Sequence, residues 1–167
     1  MKKSSLLALL LFVGAFIQAQ NTQTLPDLTL KDVNGKNKNV ADYGKSGKIT
    51  VISFWATWCT PCKKELTNIN DNLLDEWRSK YNVQLVAVST DNSKNVLKVK
   101  PFVDGQGWEF DCLLDVNEDL KRAINATIIP HTLLIDQNGR IVWTHTGYVE
   151  GDEFILEEQI KKLANAK

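Results

Sequence analysis

Two thiols, Cys59 and Cys62, stand three residues apart with Thr60 and Pro61 between them, directly after the apolar run Ile49 to Trp55 and at the head of a helical pattern. Where a strand hands over to a helix at a cysteine, that sulfur meets backbone N–H groups that have no helical partner and carry the positive end of the macrodipole. A thiolate is stabilised there. Free cysteine has a pKa of about 8.5, and thiols of Cys-x-x-Cys pairs at helix starts fall to roughly 3.5–7.5. Cys59 is therefore the expected nucleophile. Cys62 follows nearly one turn later, so its sulfur can face that of Cys59 and close a small disulfide, which makes it the resolving thiol. Pro61 falls in the first turn, where its missing N–H leaves no gap and its fixed φ suits the helix.

A structural disulfide or half of a zinc site would use the same two residues. Zinc takes four ligands, and Cys112, His131 and His145 stand at no zinc-knuckle spacing, so neither metal nor cofactor is expected. Residues 20–167 make one domain of ordinary size that can bury a full core without a covalent staple, which weakens the structural disulfide. Cys112 lies between Phe110 and Leu113-Leu114 in an apolar strand and is expected to be a buried, inert thiol.

The elements that must position the pair follow from periodicity. Ile49 to Trp55 is a β-branched and aromatic run suited to a buried strand. From Cys59 onward Leu66, Ile69, Leu73, Leu74 and Trp77 recur every three or four residues, which predicts one long amphipathic helix to about Lys80. Val83 to Ser89 is a second apolar strand, and a strand–helix–strand unit of this length implies a right-handed crossover with parallel pairing, the α/β class. Ahead of it, Leu28 to Lys31, the turn Asp32-Val33-Asn34-Gly35 and Asn39 to Tyr43 predict a hairpin that covers a sheet edge. Downstream come a helix over Asp91 to Gly107, with Val96, Leu97 and Val99 inward and Pro101 as a kink, and a strand over Trp108 to Asp115. A short helix over Asn117 to Ile124, capped by Asn117 or the residues before it, precedes a hairpin of His131 to Ile135 and Arg140 to Thr146 around Asn138-Gly139. A helix from about Asp152 to Ala164 ends a chain that shows no repeat or linker, so a single domain is expected.

The segment Val51 to Glu65, together with Phe110-Asp111-Cys112-Leu113-Leu114-Asp115 and Ile129-Pro130-His131-Thr132 continuing to Gly139, resembles the secreted TlpA/ResA-like thiol-disulfide oxidoreductases of the thioredoxin superfamily. The likeness covers about residues 25 to 165. It implies a thioredoxin-like fold, a central mixed β-sheet flanked by helices, with a central helix–strand insertion besides the N-terminal hairpin. It also implies that Pro130 is the family's cis-proline beside the two cysteines. An extended substrate would then pair with the Ile129 backbone by strand addition. Trp58, Thr60 and Pro61 adjoin the nucleophile and, with Ile129 and Pro130, form the expected substrate-contacting set. Trp58 is expected to be accessible, whereas fold packing explains Trp55.

Glu65 lies one turn after Cys62 on the same helix face and matches an acid that the family carries near the site, where it could exchange a proton with Cys62. The alternative is a solvated surface glutamate beside Lys63 and Lys64. Ser53 stands where cytosolic thioredoxins carry a buried aspartate, which leaves Glu65 as the main acid candidate. His131 follows Pro130 where the family most often has threonine. It is either a thiolate-stabilising imidazole or, the preferred reading, a partly exposed histidine at a strand edge.

Lys2 and Lys3, the apolar run Leu6 to Ile17 and Gln18-Ala19-Gln20 have the layout of a signal peptide over residues 1–19, so periplasmic or cell-envelope localisation is expected. The run is short of the ~20 residues that span a bilayer, and an uncleaved anchor is the alternative. Cleavage after Ala19 takes the balance from 20 basic and 20 acidic residues to 18 and 20, a formal charge of −2, with no basic excess for nucleic acid. The expected activity is reduction of disulfides in envelope proteins, with a membrane thiol carrier as electron donor and, by resemblance, cytochrome c maturation as one setting. A thiol oxidant using the same residues, and a non-catalytic peptide-binding or chaperone module, are the alternatives. A peroxidase fits less well, because those relatives place a lone cysteine in a different local pattern.

Overall fold

The computed structural model describes residues 23–166; the expected leader at 1–19 lies outside the described residues. At the centre β3 (Ile49–Trp55) is buried along its whole length and pairs parallel with β4 (Val83–Ser89), from Ile49 opposite Val83 to Trp55 opposite Ser89. On its other side β3 pairs antiparallel with β6 (His131–Ile135), which pairs with β7 (Ile141–Thr146). β4 also pairs parallel with β5 (Asp111–Leu114), and β5 carries the N-terminal hairpin of β1 (Thr29–Asp32) and β2 (Asn37–Asn39) on its outer side. Among the described residues the result is one mixed sheet of seven strands in the order β2-β1-β5-β4-β3-β6-β7. Both faces are covered, as buried strands of β-branched residues require.

Alternation along β3 sends Val51, Ser53 and Trp55 to one face and Ile52 and Phe54 to the other. The first face is closed by α2 (Thr60–Asn72), α3 (Leu74–Tyr81), α4 (Val99–Gln106) and α6 (Asp152–Asn165). The second is closed by α1 (Val40–Gly44) and α5 (Asp119–Ala123), with Val40 and Leu120 buried among Phe54, Val88 and Leu133. Among the described residues no helix is long and apolar enough to cross a membrane.

Four expectations need correction. The single helix from Cys59 to Lys80 is broken at Leu73, whose φ of −127° leaves the helical range. The preceding Asn70-Asp71-Asn72 run consists of weak helix formers that bond locally, Asn72 Nδ2 donating to Asn68 O at 3.0 Å, and the break lets consecutive Leu73 and Leu74 both face the core. The second hairpin arm ends at Asn39, because its side chain accepts from Ala41 N at 2.9 Å and caps α1 instead of continuing a strand. The helix over 91–107 is reduced to a single 3₁₀ turn at Val96–Lys98 followed by α4, with Pro101 harmless in the first turn of α4 and Leu97 exposed rather than inward. The strand over 108–115 is shortened to β5, since Trp108 leaves the sheet to pack edge-on against Trp55, ring centroids 4.9 Å apart. α5 is capped from before Asn117: Asp115 accepts from Leu120 N and Lys121 N. The expected β6–β7 hairpin turns at Gly139, φ 81°, where an added Cβ would stand 2.9 Å from Gly44 O.

Candidate active site

The β3–α2 junction places Cys59 at the N-cap of α2 in extended conformation, and its Sγ accepts a hydrogen bond from Cys62 N at 3.3 Å. The two sulfurs are joined in a disulfide with Cα atoms 5.4 Å apart. Cys59 keeps 5% of its surface exposed and Cys62 none, so an incoming group reaches Cys59 first. Around them Trp58, Thr60 and Pro61 face solvent, Trp58 with 64% of its surface, while Trp55 is fully buried in an aromatic cluster with Phe102 and Trp108.

Ile129 and Pro130 reach the same end of the sheet because β6 runs antiparallel to β3 with His131 opposite Phe54, which puts Pro130 one step further, beside Trp55. The Ile129–Pro130 peptide bond is cis. Pro130 is buried, its carbonyl accepts from Gly147 N at 2.8 Å, and Ile129 is half-buried.

Glu65 is not a surface glutamate. It is 4% exposed, with Oε1 accepting from Thr132 Oγ1 at 2.8 Å and Oε2 from Ser53 Oγ at 3.0 Å. Burial pushes its pKa up from 4.5 to about 7, while the hydrogen bonds from Thr132 and then Ser53 pull it back; the charge of His145 also lowers it and that of Asp152 raises it. Ser53 thus frames the acid from the strand position that carries one in cytosolic thioredoxins. The signal for this frame was present in the sequence as polar residues on the α2-facing side of two largely apolar strands, Ser53 between Val51 and Trp55 and Thr132 two before Leu134.

Sequence reasoning missed Asp91. Because β3 and β4 are parallel and in register, their C-terminal ends emerge together, and Asp91, two residues past β4, meets the loop that carries Cys59. Fully buried, it accepts from Thr57 N at 2.8 Å, from Thr57 Oγ1 at 2.6 Å and from Ser89 Oγ at 2.9 Å. A carboxylate directly after an apolar strand that is parallel to the motif strand is the pattern that could have found it.

His131 lies on the face opposite Glu65, its ring tilted against Phe54 at 6.4 Å and its Nδ1 2.9 Å from Thr146 Oγ1. β6 is an inner strand, so His131 is half-buried in the sheet rather than at an edge, and burial, with His145 adding, lowers its pKa. Cys112 is 2% exposed and burial pushes its thiol up to about 12. A groove of about 360 Å³ runs beside the start of α2, lined by Thr60, Lys63, Lys64, Thr67 and Phe102 among others. A cavity of about 380 Å³ bordered by Tyr43, Gln84 and Asp111 is larger but lies at the opposite end of β4, away from the sulfurs.

Comparison with known proteins agrees with this geometry. A model of the AhpC/TSA family matches residues 22–144. The thiol-disulfide oxidoreductase ResA of Geobacillus kaustophilus is 32% identical over 140 residues, 84% of this chain and 76% of that one. Among solved structures, an uncharacterized thioredoxin-like protein from Porphyromonas gingivalis superposes with a TM-score of 0.74 at 43% identity, covering 86% of this chain and 94% of the other. StoA from Bacillus subtilis gives 0.62 at 28% identity, covering 84% and 100%.

Proposed function

Since this chain belongs to the AhpC/TSA family and is a ResA-like thiol-disulfide oxidoreductase, we propose that it works as a reductant of disulfides in exported proteins, with Cys59 and Cys62 as the reacting couple and Glu65 as the acid–base group. The observation that supports this most is the buried carboxyl one helical turn beyond Cys62, brought close to neutrality and held by two hydroxyls. A disulfide that served only to staple the fold would have no use for such a group.

In the cycle, the Cys59 thiolate attacks one sulfur of a partner disulfide, forming a mixed disulfide and releasing the first partner thiolate. Glu65 takes the proton of Cys62, and the resulting thiolate attacks Cys59 Sγ, closing the Cys59–Cys62 disulfide and releasing the second partner thiolate. Two electrons pass to the partner, two protons follow from solvent or from Glu65, and no cofactor takes part. Trp58, Thr60 and Pro61 form one wall of the docking surface, and Ile129 with Pro130 forms the other, where an extended segment pairs with the backbone. Residues 1–19 act as a cleaved signal peptide that delivers residues 20–167 to the periplasm or cell envelope. There a membrane dithiol carrier returns the couple to its reduced form, and apocytochrome c is one disulfide partner the resemblance implies.

The test is a trap combined with a potential. Cys62→Ser should hold its partner on Cys59 as a stable mixed disulfide that can be isolated from envelope extracts, while Cys59→Ser should trap nothing. A couple near −270 mV, the thioredoxin value, supports reduction, and one near −120 mV would reverse the assigned direction.

A further inference from the structure

We infer that the His145–Asp152 pair is the proton port of Glu65, the group through which the buried carboxyl exchanges its proton with water while a docked partner covers the sulfurs. The inference rests on Glu65 being the acid–base group. It begins from a problem of access. Both carboxyl oxygens are engaged by Thr132 and Ser53, and on the sulfur side the way out passes Cys62, fully buried, and Cys59, 5% exposed. In the mixed disulfide that side is occupied by the partner.

The other side leads to β7. Thr132 stands directly opposite His145 in the β6–β7 ladder, so both side chains lie on the face of the sheet that holds Glu65. Directly opposed residues have Cβ atoms about 4.5–5.5 Å apart, so the two side chains are neighbours across the ladder, though no hydrogen bond joins them directly. Among the described residues β7 is an edge strand of the sheet, and the His145 side chain is 32% exposed, so one residue borders both the interior and water. Its ring is held in place: it stacks on Trp143 with planes 4° apart, and Nε2 lies 3.1 Å from Asp152 Oδ2. Asp152 is itself fixed at the start of α6 by accepting from Val149 N at 2.9 Å. Nδ1 has no hydrogen-bond partner among the described residues.

Other titratable groups on the elements around Glu65 are committed elsewhere. Glu153 on α6 accepts from Tyr148 OH at 2.8 Å, from Gly151 N at 2.9 Å and from Asn68 Nδ2 at 3.3 Å, which also engages the Tyr148 hydroxyl. Lys64 on α2 is paired with Glu150, and His131 on β6 faces the opposite side. That leaves Cys62, which supplies the proton, and the imidazole, whose two ring nitrogens let it take a proton on one side and give one up on the other. The opposite pulls of His145 and Asp152 on the proton affinity of Glu65 show that the pair is electrostatically within reach.

The proton moves without electrons. Cys62 gives it to the Glu65 carboxylate, Glu65 gives it to the Thr132 hydroxyl as that hydroxyl passes its own hydrogen through one bridging water to the imidazole, and the imidazolium beside Asp152 loses one to solvent.

The experiment is a single-turnover measurement of partner release from a mixed disulfide on Cys59, formed with a small aromatic disulfide, across about pH 5 to 9. His145→Ala should slow release about tenfold or more near neutral pH, and added imidazole should restore it, as a relay acting through general acid–base transfer requires. His145→Gln, which can still bond Asp152 but cannot carry a proton, should be slow and unrescued. Wild-type rates in both variants at every pH, or a loss that imidazole leaves untouched in His145→Ala, would overturn the port. Glu65→Gln separates the two readings: slow release there with normal release in the His145 variants removes the port alone, while normal release in Glu65→Gln removes the acid–base role beneath it.

Discussion

Two buried carboxylates flank the cysteine pair, and they are built from different donors. Asp91, beyond the end of β4, accepts from a backbone N–H of the motif loop as well as from two hydroxyls. Glu65, inside α2, accepts from hydroxyls alone. An N–H can only donate, so the Asp91 frame is complete only with its oxygen accepting, and it pins Thr57, two residues before Cys59, in one place. A hydroxyl both donates and accepts, so Ser53 or Thr132 can turn to receive a proton from Glu65 without leaving either partner unpaired. The first carboxylate is built as a clamp, and the second, on the proposed function, as a site that exchanges a proton.

The largest effect expected from this contrast is on stability. Asp91→Ala would take away the acceptor of the Thr57 N–H and of the Thr57 and Ser89 hydroxyl hydrogens, and it should destabilise the oxidised protein by about 3 kcal/mol in urea unfolding. Asp91→Asn keeps an acceptor for the N–H and should lose no more than about half of that. If Asp91→Ala unfolds at the wild-type urea concentration, the loop is held by other means and the clamp disappears from the comparison.

Next comes the pH dependence of stability, to which Glu65 should contribute a slope. Its pKa is raised from 4.5 to about 7 in the folded chain, so between those values the folded state holds a proton that the unfolded state has lost. The stabilisation is therefore fully present below about pH 4.5 and is lost as pH rises through about 7, with a total of about 3 kcal/mol. Glu65→Gln should abolish this part of the slope. Parallel stability curves for wild type and Glu65→Gln between pH 4.5 and 7 would show that the carboxyl titrates alike in both states.

The kinetic counterpart is of similar size. Glu65→Gln should slow the attack of Cys62 on the mixed disulfide by about 100-fold while leaving the first attack by Cys59 near its wild-type rate. Two rates measured with the same aromatic disulfide check it. An equal slowing of both steps would mean that Glu65 acts on the site as a whole rather than on Cys62.

This contrast also marks what could be read from the chain. The Cys59–Cys62 pair, the helix it begins, the parallel β3–β4 unit and the hairpin around Gly139 are local patterns, each contained in one short window with its own hydrophobic period or turn residue. The break at Leu73 depends on both leucines finding the sheet, and α1 depends on Asn39 choosing a backbone N–H over a strand, so periodicity misread both. Asp91 and the Ser53–Glu65–Thr132 triangle depend on register between β3, β4 and β6, segments up to about eighty residues apart. Glu65 was found by its spacing from Cys62, but its burial was not, because Lys63 and Lys64 beside it belong to the solvent side of the same helix.

The smallest expected effect divides the Glu65 frame itself. Ser53→Ala and Thr132→Val each remove one hydroxyl that donates to the carboxylate, and since both bonds lower the Glu65 pKa, each variant should move it further above about 7. The shift should be larger for Thr132→Val, whose bond is the stronger influence and, at 2.8 Å against 3.0 Å, the shorter one. With one charge-assisted hydrogen bond at about 1.5–3 kcal/mol as the upper bound, a movement of about one pH unit is expected, read from the carbon resonance of the labelled carboxyl. The two hydroxyls differ in what lies behind them, since Ser53 is backed by the inner strands and Thr132 by His145 on the edge. Ser53→Ala should therefore displace the pH profile of partner release without lowering its plateau, whereas Thr132→Val should displace it and lower the plateau as well. Equal plateaus in the two variants would make the hydroxyls interchangeable and would leave β7 no part in the movement of the proton.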